Sequence, residues 1–323
     1  MNDQIQNNRK KKNQLFKSAR IRLIVFLSVF ILVGAALLFA AGPIQSRSFS
    51  QKIASAQGKI LYIEGTYANL NIIAVPQNEI SVQGVVEVGD SDEKYLKAFL
   101  DESKMILEPW ADGFRLRLIT PRDSDDWPSW LKFFRRGRGT HFSCSARLDI
   151  QAPAQQDLDV DNRYGDIKVR GLSGKLSIRN QSGDVQVEGG GGSLNIRSSY
   201  APVSVLDFKG PIELDATSGE VILKNIGGGA VVRNSYRSVR FSKIGGPLTV
   251  ISQSADVTGS DVEGDCEIRS SYRTIDVKGV RGKLRINAPS STVKVDDVQQ
   301  SAIVESSYRP VSVSYTHLTL PTN

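Results

Sequence analysis

The sequence predicts an all-β fold, a parallel β-solenoid with 18-residue coils, on three observations. The first is a period without insertions from Tyr164 to Val313. Tyr164, Tyr200, Tyr236, Tyr272 and Tyr308 stand 36 residues apart, with Ser182, Ser218, Ser254 and Ser290 midway between them. The second is a pair of short alternating runs in each unit. Counting each Tyr or Ser as position one, position four is always β-branched, from Ile167 and Val185 to Val311. Position six is mostly apolar, with Phe241 followed by Gly259, and positions thirteen and fifteen are apolar again, from Leu176 and Ile178 to Ala302 and Val304. The third is glycine at position eleven, from Gly174 to Gly282, with Gln300 the departure.

A fixed period of this length marks a repeat architecture. Alternation marks a strand with one buried face. One unit cannot bury its own apolar face, but units stacked about 4.8 Å apart align equivalent residues into a continuous core. Glycine at position eleven suits a corner with positive φ or a close backbone approach. A left-handed hexapeptide helix shares the coil length and needs a small apolar residue every sixth position. Positions nine and fifteen would fit it, but position three carries Asp166, Asp184, Pro202 and Glu220, which would leave one face polar.

The preceding elements follow in order. Residues 1–22 hold seven Lys/Arg against Asp3 alone, while the other 301 residues hold 34 basic and 33 acidic side chains. The formal net charge of +7 therefore belongs to a short tail, and a nucleic-acid partner is not expected. Leu23–Ala41 is a 19-residue stretch without a charge, long enough to span a bilayer. With the basic tail before it, residues 23–42 are expected to be an uncleaved anchor with a cytoplasmic N-terminus. A cleaved signal peptide is the competing reading, through Ala40, Ala41 and Gly42. Residues 43–57 read as a polar linker. Residues 58–145 read as a smaller, irregular β-rich module. Its strand-like runs are Ile60–Ile63, Leu70–Ile73, Ile80–Val82 and Val85–Val88. A helix at 92–100 is capped by Ser91 and buries Tyr95, Leu96, Phe99 and Leu100. A hairpin joins Met105–Leu107 to Phe114–Ile119 around Ala111-Asp112-Gly113. Solenoid repeats occupy 146–312, with Leu158 and Val160 in register with Leu176 and Ile178. Residues 313–323 break the pattern and resemble a translated sequencing adapter, so the natural chain is expected to continue past Ser312.

Two constellations are candidate partner-binding sites. Within 121–140, Trp127, Trp130, Phe133 and Phe134 precede Arg135, Arg136 and Arg138. Mixed aromatics and arginines suit a membrane interface or a protein partner. The structural alternative is a long hairpin whose aromatics lie on the module. The second constellation is the column of Tyr164, Tyr200, Tyr236, Tyr272 and Tyr308, joined by Arg237, Arg273 and Arg309. Such a column can stack on sugar rings or a peptide. The expected role is structural, each ring covering the serine of the neighbouring coil and closing a corner of the core. Position-three carboxylates are expected to be solvated turn residues, since like charges stacked at this spacing repel. The glycine run 189–192 opens no helix and lacks the Lys-Ser/Thr of a phosphate loop. Cys144 and Cys266 are too few for a disulfide framework, and only His141 and His317 exist. No cofactor, metal or catalytic residue is expected.

The units Tyr164-Gly-Asp-Ile-Lys-Val and Ser182-Gly-Asp-Val-Gln-Val, each followed by a G-x-L-x-I unit, resemble the bacterial putative-adhesin β-strand-repeat family of unknown function. The resemblance covers roughly Lys59–Ser312 and does not include the aromatic-basic segment. It implies an envelope-exposed, non-enzymatic β-solenoid, often tethered by one membrane helix. It brings no established catalytic residues. The expected function is a single-pass membrane protein that presents the solenoid outside the cytoplasm to an envelope polysaccharide, envelope protein or other surface partner, or serves as an envelope-stress scaffold. A carbohydrate-active enzyme using Asp166 and Asp184, and a self-assembling scaffold with stacked ends, are the alternatives. Sequencing the 3′ end of the intact gene is expected to show codons after Ser312 that continue the 18-residue pattern and then cap it. A gene that encodes His317-Leu-Thr-Leu-Pro-Thr-Asn323 and stops would refute the adapter reading.

Overall fold

The computed structural model describes residues 44–56, 58–65, 67–90, 92–121 and 142–314. The expected cytoplasmic tail and membrane anchor, residues 122–141 and residues 315–323 lie outside the described residues. Among the described residues, no helix is long and apolar enough to cross a membrane.

The strands fall into two facing sheets, one of 13 strands and one of 12. In each coil the run at positions four to six joins the first sheet and the run at thirteen to fifteen joins the second. Thus β8 (Asp157–Tyr164) pairs in parallel with β10 (Lys175–Ser182), which places Leu158 beside Leu176 and Val160 beside Ile178. Between them in sequence, β9 (Ile167–Arg170) pairs with the strand 185–188, which places Ile167 beside Val185. The 18-residue offset continues to the pairing of Val293 with Val311. Positions four, six, thirteen and fifteen line one continuous apolar core. Position nine joins them through Leu172, Phe208, Ile226, Ile244 and Val262, all buried. Each inward Val, Leu or Ile gains about 1.5–3 kcal/mol by leaving water.

The N-terminal module is not a separate layer. Both sheets run through it. β2 (Ile60–Gly65) and β3 (Ala68–Val75) form a coil of their own, directly against β8 and β9. The next layer outward is β6 (Gly113–Ile119) in one sheet and β7 (Ser143–Pro153) in the other. The run Leu148–Ile150, which precedes the repeats in sequence, therefore lies one layer beyond β3 rather than against the first repeat. Antiparallel strands finish the stack. β4 (Glu79–Gly89) spans both runs expected between 80 and 88 and pairs with β7. β5 (Lys104–Trp110) closes the expected hairpin onto β6. The expected polar linker 43–57 contains β1 (Ile44–Ala54), an 11-residue strand along β4. Its polar composition concealed it, because an outermost strand needs to bury only Phe49 and Ile53. Helix α1 (Glu93–Glu102) buries the four expected residues, but its N-cap is Asp92, whose carboxylate accepts from the Lys94 and Tyr95 amides.

Backbone crowding explains position eleven. A β-carbon on Gly210 would collide with the Gly192 carbonyl oxygen of the preceding coil, so close approach is the governing reason at this corner. The same connection turns at position eight through left-handed backbone in Gly171, Gly189, Asp207, Asn225, Lys243, Asp261, Gly279 and Asp297, with φ between 55° and 73°. Glycine, Asn and Asp tolerate this region; Lys243 is the one poorly suited residue of the column.

The Phe241–Gly259 exception at position six is a matched pair. These residues are neighbours in adjacent coils, and a β-carbon on Gly259 would lie within the Phe241 ring. The ring fills the space that the glycine leaves. Gly259→Val is expected to cost about 1–3 kcal/mol through overpacking, and Phe241→Val to cost through a cavity. The double variant restores the common residue in both coils. It is expected to recover most of the loss, seen as a favourable coupling of about 1 kcal/mol or more in denaturation midpoints. Additive losses would refute the pairing.

Candidate tyrosine edge

The corner between position fifteen and the next position four carries the tyrosine column. Inside it runs a second column, two residues before each Tyr or Ser: Asn162, Asn180, Ser198, Ala216, Asn234, Ser252, Ser270 and Ala288, all buried. The Asn and Ser side chains of this column hydrogen-bond the turning backbone. The Asn180 amide donates to the carbonyls of Gly165 at 3.1 Å and Gly183 at 2.8 Å. Asn234 donates to the Gly219 carbonyl at 2.8 Å and accepts from the amides of Tyr236 and Arg237 at 3.1 and 3.3 Å. Ser252 accepts from the Ala255 amide, and Ser270 donates to the Tyr272 carbonyl. Buried peptide groups at a corner need such partners. The signal in the sequence is an Asn or Ser at this position in six of eight coils, with Ala at 216 and 288.

With the corner closed from within, the tyrosines point out. Their exposure runs from 43% at Tyr164 to 81% at Tyr308, which corrects the expectation that they close the core. Inward parity does not carry through position one: β8 ends at Tyr164 and its burial alternates only up to Asn162, the strands before Tyr200 and Tyr236 end two residues earlier at Ser198 and Asn234, and Tyr272 opens a new strand. The intervening Ser182, Ser218, Ser254 and Ser290 are half-buried.

The column extends one coil further than the repeats suggested. Tyr67 is level with Tyr164, since Gly65 pairs with Asn162 and Leu70 with Ile167. The two rings stack with centroids 5.0 Å apart and planes 7° apart. Arg237, Arg273 and Arg309 are exposed beside their tyrosines. Elsewhere arginines on the sheet faces meet carboxylates, as in Arg170–Glu188, Arg179–Asp159, Arg233–Glu213 and Arg281–Glu263. Glu213 is held below its ordinary pKa by its hydrogen bond from Arg233. Among the described residues, the guanidinium groups with neither ion pair nor hydrogen bond are those of Arg163, Arg237, Arg273 and Arg309, and each is the chain neighbour of a column tyrosine.

The position-three acids have local work. The Asp166 carboxylate accepts from the Asp184 amide at 3.0 Å, and Asp256 accepts from the Thr274 amide at 3.1 Å. Asn69 does the same for Asp166 at 2.9 Å. Glu220 pairs with Arg240. Neither Cys144 nor Cys266 is in a disulfide. Burial pushes the Cys266 thiol up to about 12, which leaves it protonated and unreactive at neutral pH. Among the described residues, no three His, Cys, Asp or Glu side chains gather as a metal site. A second aromatic cluster lies on the β5–β6 hairpin. Trp110 packs edge-on to Tyr62 at 5.0 Å, Arg115 lies 4.8 Å from the Trp110 ring centre, and Tyr62 donates to Asp112 at 2.8 Å. That hydrogen bond raises the Tyr62 pKa. Trp127, Trp130, Phe133, Phe134, Arg135, Arg136 and Arg138 lie outside the described residues.

No protein-family model matches the chain, and no curated protein matches it. Solved structures do. A putative adhesin from Bacteroides fragilis is 10% identical with a TM-score of 0.29, over 83% of this chain and 96% of that one. A putative cell adhesion protein from Clostridium sporogenes is 8% identical with a TM-score of 0.23, over 84% of this chain and 100% of that one. A putative adhesin from Parabacteroides merdae is 9% identical with a TM-score of 0.27, over 82% and 95%. At these values the likeness carries no weight for what the chain binds.

The internal ladder should be measurable. Asn234→Ala strips three hydrogen bonds from a buried corner and is expected to destabilise the chain by about 1–3 kcal/mol, read from urea midpoints. Unchanged stability would show that the polar column is dispensable, as alanine is at 216 and 288.

Proposed function

We propose that the chain is a non-enzymatic, single-pass membrane protein that holds its β-solenoid outside the cytoplasm and binds a surface partner through the tyrosine edge. One observation carries the reading. Exposed rings and unpaired arginines coincide on one edge, whereas arginines on the sheet faces are neutralised locally. Aromatic and arginine side chains are the residues that dominate binding surfaces. An arginine without an internal partner is free to meet an external carboxylate or phosphate.

The chemistry of the edge supports binding over catalysis. From Tyr164 to Val313 every coil keeps the same length, so no inserted loop carries a catalytic group there. Asp166 accepts from the amide of the next coil, which gives it a structural use. The apolar stretch Leu23–Ala41 behind a basic tail supports anchoring with the N-terminus inside. The segment Trp127–Arg138 supplies a second aromatic-basic surface by composition.

Protease added to intact cells or spheroplasts is expected to digest the solenoid and spare the basic tail. Retention of the chain by envelope or cell-surface fractions is expected to fall about tenfold when Arg237, Arg273 and Arg309 are all replaced by serine. A protected solenoid would refute the topology, and retention indifferent to the three substitutions would refute the tyrosine edge.

A further inference from the structure

We infer that the tyrosine edge pairs with the same edge of a second copy of the chain, antiparallel, each copy seating its rings over the other's serines. This rests on the proposal that the edge is a contact surface, and it names the occupant.

The spacing argues for it first. At the N-terminal end the column has a ring in two successive coils, Tyr67 and Tyr164, stacked 5.0 Å apart. From Tyr164 onward every second ring is replaced by a half-buried serine. Successive tyrosines then stand roughly 10 Å apart, twice the strand spacing. Each gap is one ring wide, floored by a serine, and a ring inserted there would repeat on both faces the stacking that Tyr67 and Tyr164 already show. Offset aromatic stacking favours this arrangement.

Period decides among occupants. The slots recur along the whole edge, so a ligand filling them must repeat in step. An extended peptide presents same-face side chains roughly every 6.8 Å and loses step within two slots. A polyproline helix, at about 9.3 Å per turn, stays closer but brings no complementary set of charges determined by this chain. A second copy has the period by construction.

Symmetry decides the direction. In a parallel two-fold pair each coil faces its own equivalent, so tyrosine meets tyrosine and serine meets serine. In an antiparallel pair the order along one edge is reversed, and a register one coil short of full overlap of Tyr164–Tyr308 sets Tyr164 opposite Ser290, Ser182 opposite Tyr272, Tyr200 opposite Ser254 and Ser218 opposite Tyr236. The alternation is self-complementary only this way, as an isologous interface requires.

Charge agrees with the direction. The unpaired Arg237, Arg273 and Arg309 lie in the C-terminal half, while Asp166, Asp184 and Glu220 lie on the same flank in the N-terminal half. An antiparallel two-fold axis keeps that flank facing itself. It sets the Arg273 coil against the Asp184 coil; Glu220, opposite the Arg237 coil, is already paired with Arg240. Among the described residues, Asp166 and Asp184 are in no ion pair. A parallel axis would turn the arginines toward the opposite flank of their own coils, at Ser235, Ser271 and Ser307. The antiparallel pair also carries its two N-termini at opposite ends, the arrangement needed to join solenoids projecting from facing surfaces.

The test is sedimentation velocity of the full chain in mild detergent over a range of concentrations. The unaltered chain is expected to dimerise. A variant with Tyr200→Ser, Tyr236→Ser and Tyr272→Ser is expected to dissociate at least tenfold more readily; serine already occupies alternate coils, so the fold is retained. Ser182→Cys with Tyr272→Cys is expected to yield a covalent dimer on oxidation. These positions are five coils apart in one chain, roughly 24 Å, too far for a bond within it. A monomer at every concentration overturns the inference. So does a dimer indifferent to the three serines, which would reflect the apolar N-terminus, and so does a dimer that the cysteine pair does not cross-link. A monomer that binds alginate or a proline-rich peptide through these tyrosines assigns the edge to that ligand and also overturns self-pairing. Failure here with arginine-dependent envelope retention intact removes the second copy and leaves the contact surface standing.

Discussion

The parallel backbone ladder between successive coils is the constraint on which everything else depends. Each strand donates and accepts along both neighbours, and every side chain must face the same way as its equivalents above and below. A single inserted residue would turn the following strand over and send its apolar set to water. That is why the 18-residue spacing holds without exception from β8 to the strand 311–314. The corner chemistry follows from the same ladder. Where backbones are drawn together at position eleven only glycine fits, and where the chain must turn sharply at position eight the backbone goes left-handed. Core side chains adjust within this frame, as the Phe241 ring does over Gly259.

A ladder must also end. At the N-terminal end the chain solves the open-edge problem by changing strand direction. The parallel stack continues outward through β2 and β3 and then β6 and β7, before antiparallel β4, β1 and β5 finish the sheets. Helix α1 lies against β1 and β4 with its buried aromatic face. The module is thus the first turns and the cap of one structure, with a core shared by all the coils.

The buried Asn and Ser column connects architecture to surface. Polar groups inside an otherwise apolar stack are costly unless satisfied; here the Asn and Ser side chains serve the peptide groups of the corner, while Asn162 Oδ1 and Asn180 Oδ1 have no hydrogen-bond partner among the described residues. Because they do so from within, the residue at position one is released from structural duty. The ring that stands there is exposed, and its regular spacing is inherited from the ladder. An edge of evenly spaced rings and unpaired arginines is thereby a by-product of the repeat that binding can use.

Much of this was legible in the residues themselves. Alternation at positions four, six, thirteen and fifteen determines which side chains face inward, because a strand has a period of two, and the 18-residue offset determines which residues stack. The helix face Tyr95, Leu96, Phe99 and Leu100 and the hairpin at Asp112 were local patterns with local causes. Only the tertiary structure decided the rest. The strand Ile44–Ala54 was hidden because an edge strand can be polar. The insertion of Lys59–Val75 between β7 and β8 is a long-range pairing with no local trace. The outward turn of Tyr164 depends on where the strand ends, and that depends on Asn162 holding the Ala68 and Gly165 carbonyls from two coils at once. Periodicity names the neighbours of a residue, whereas the direction of a side chain at a corner is settled by hydrogen bonds that close only when the coils are stacked.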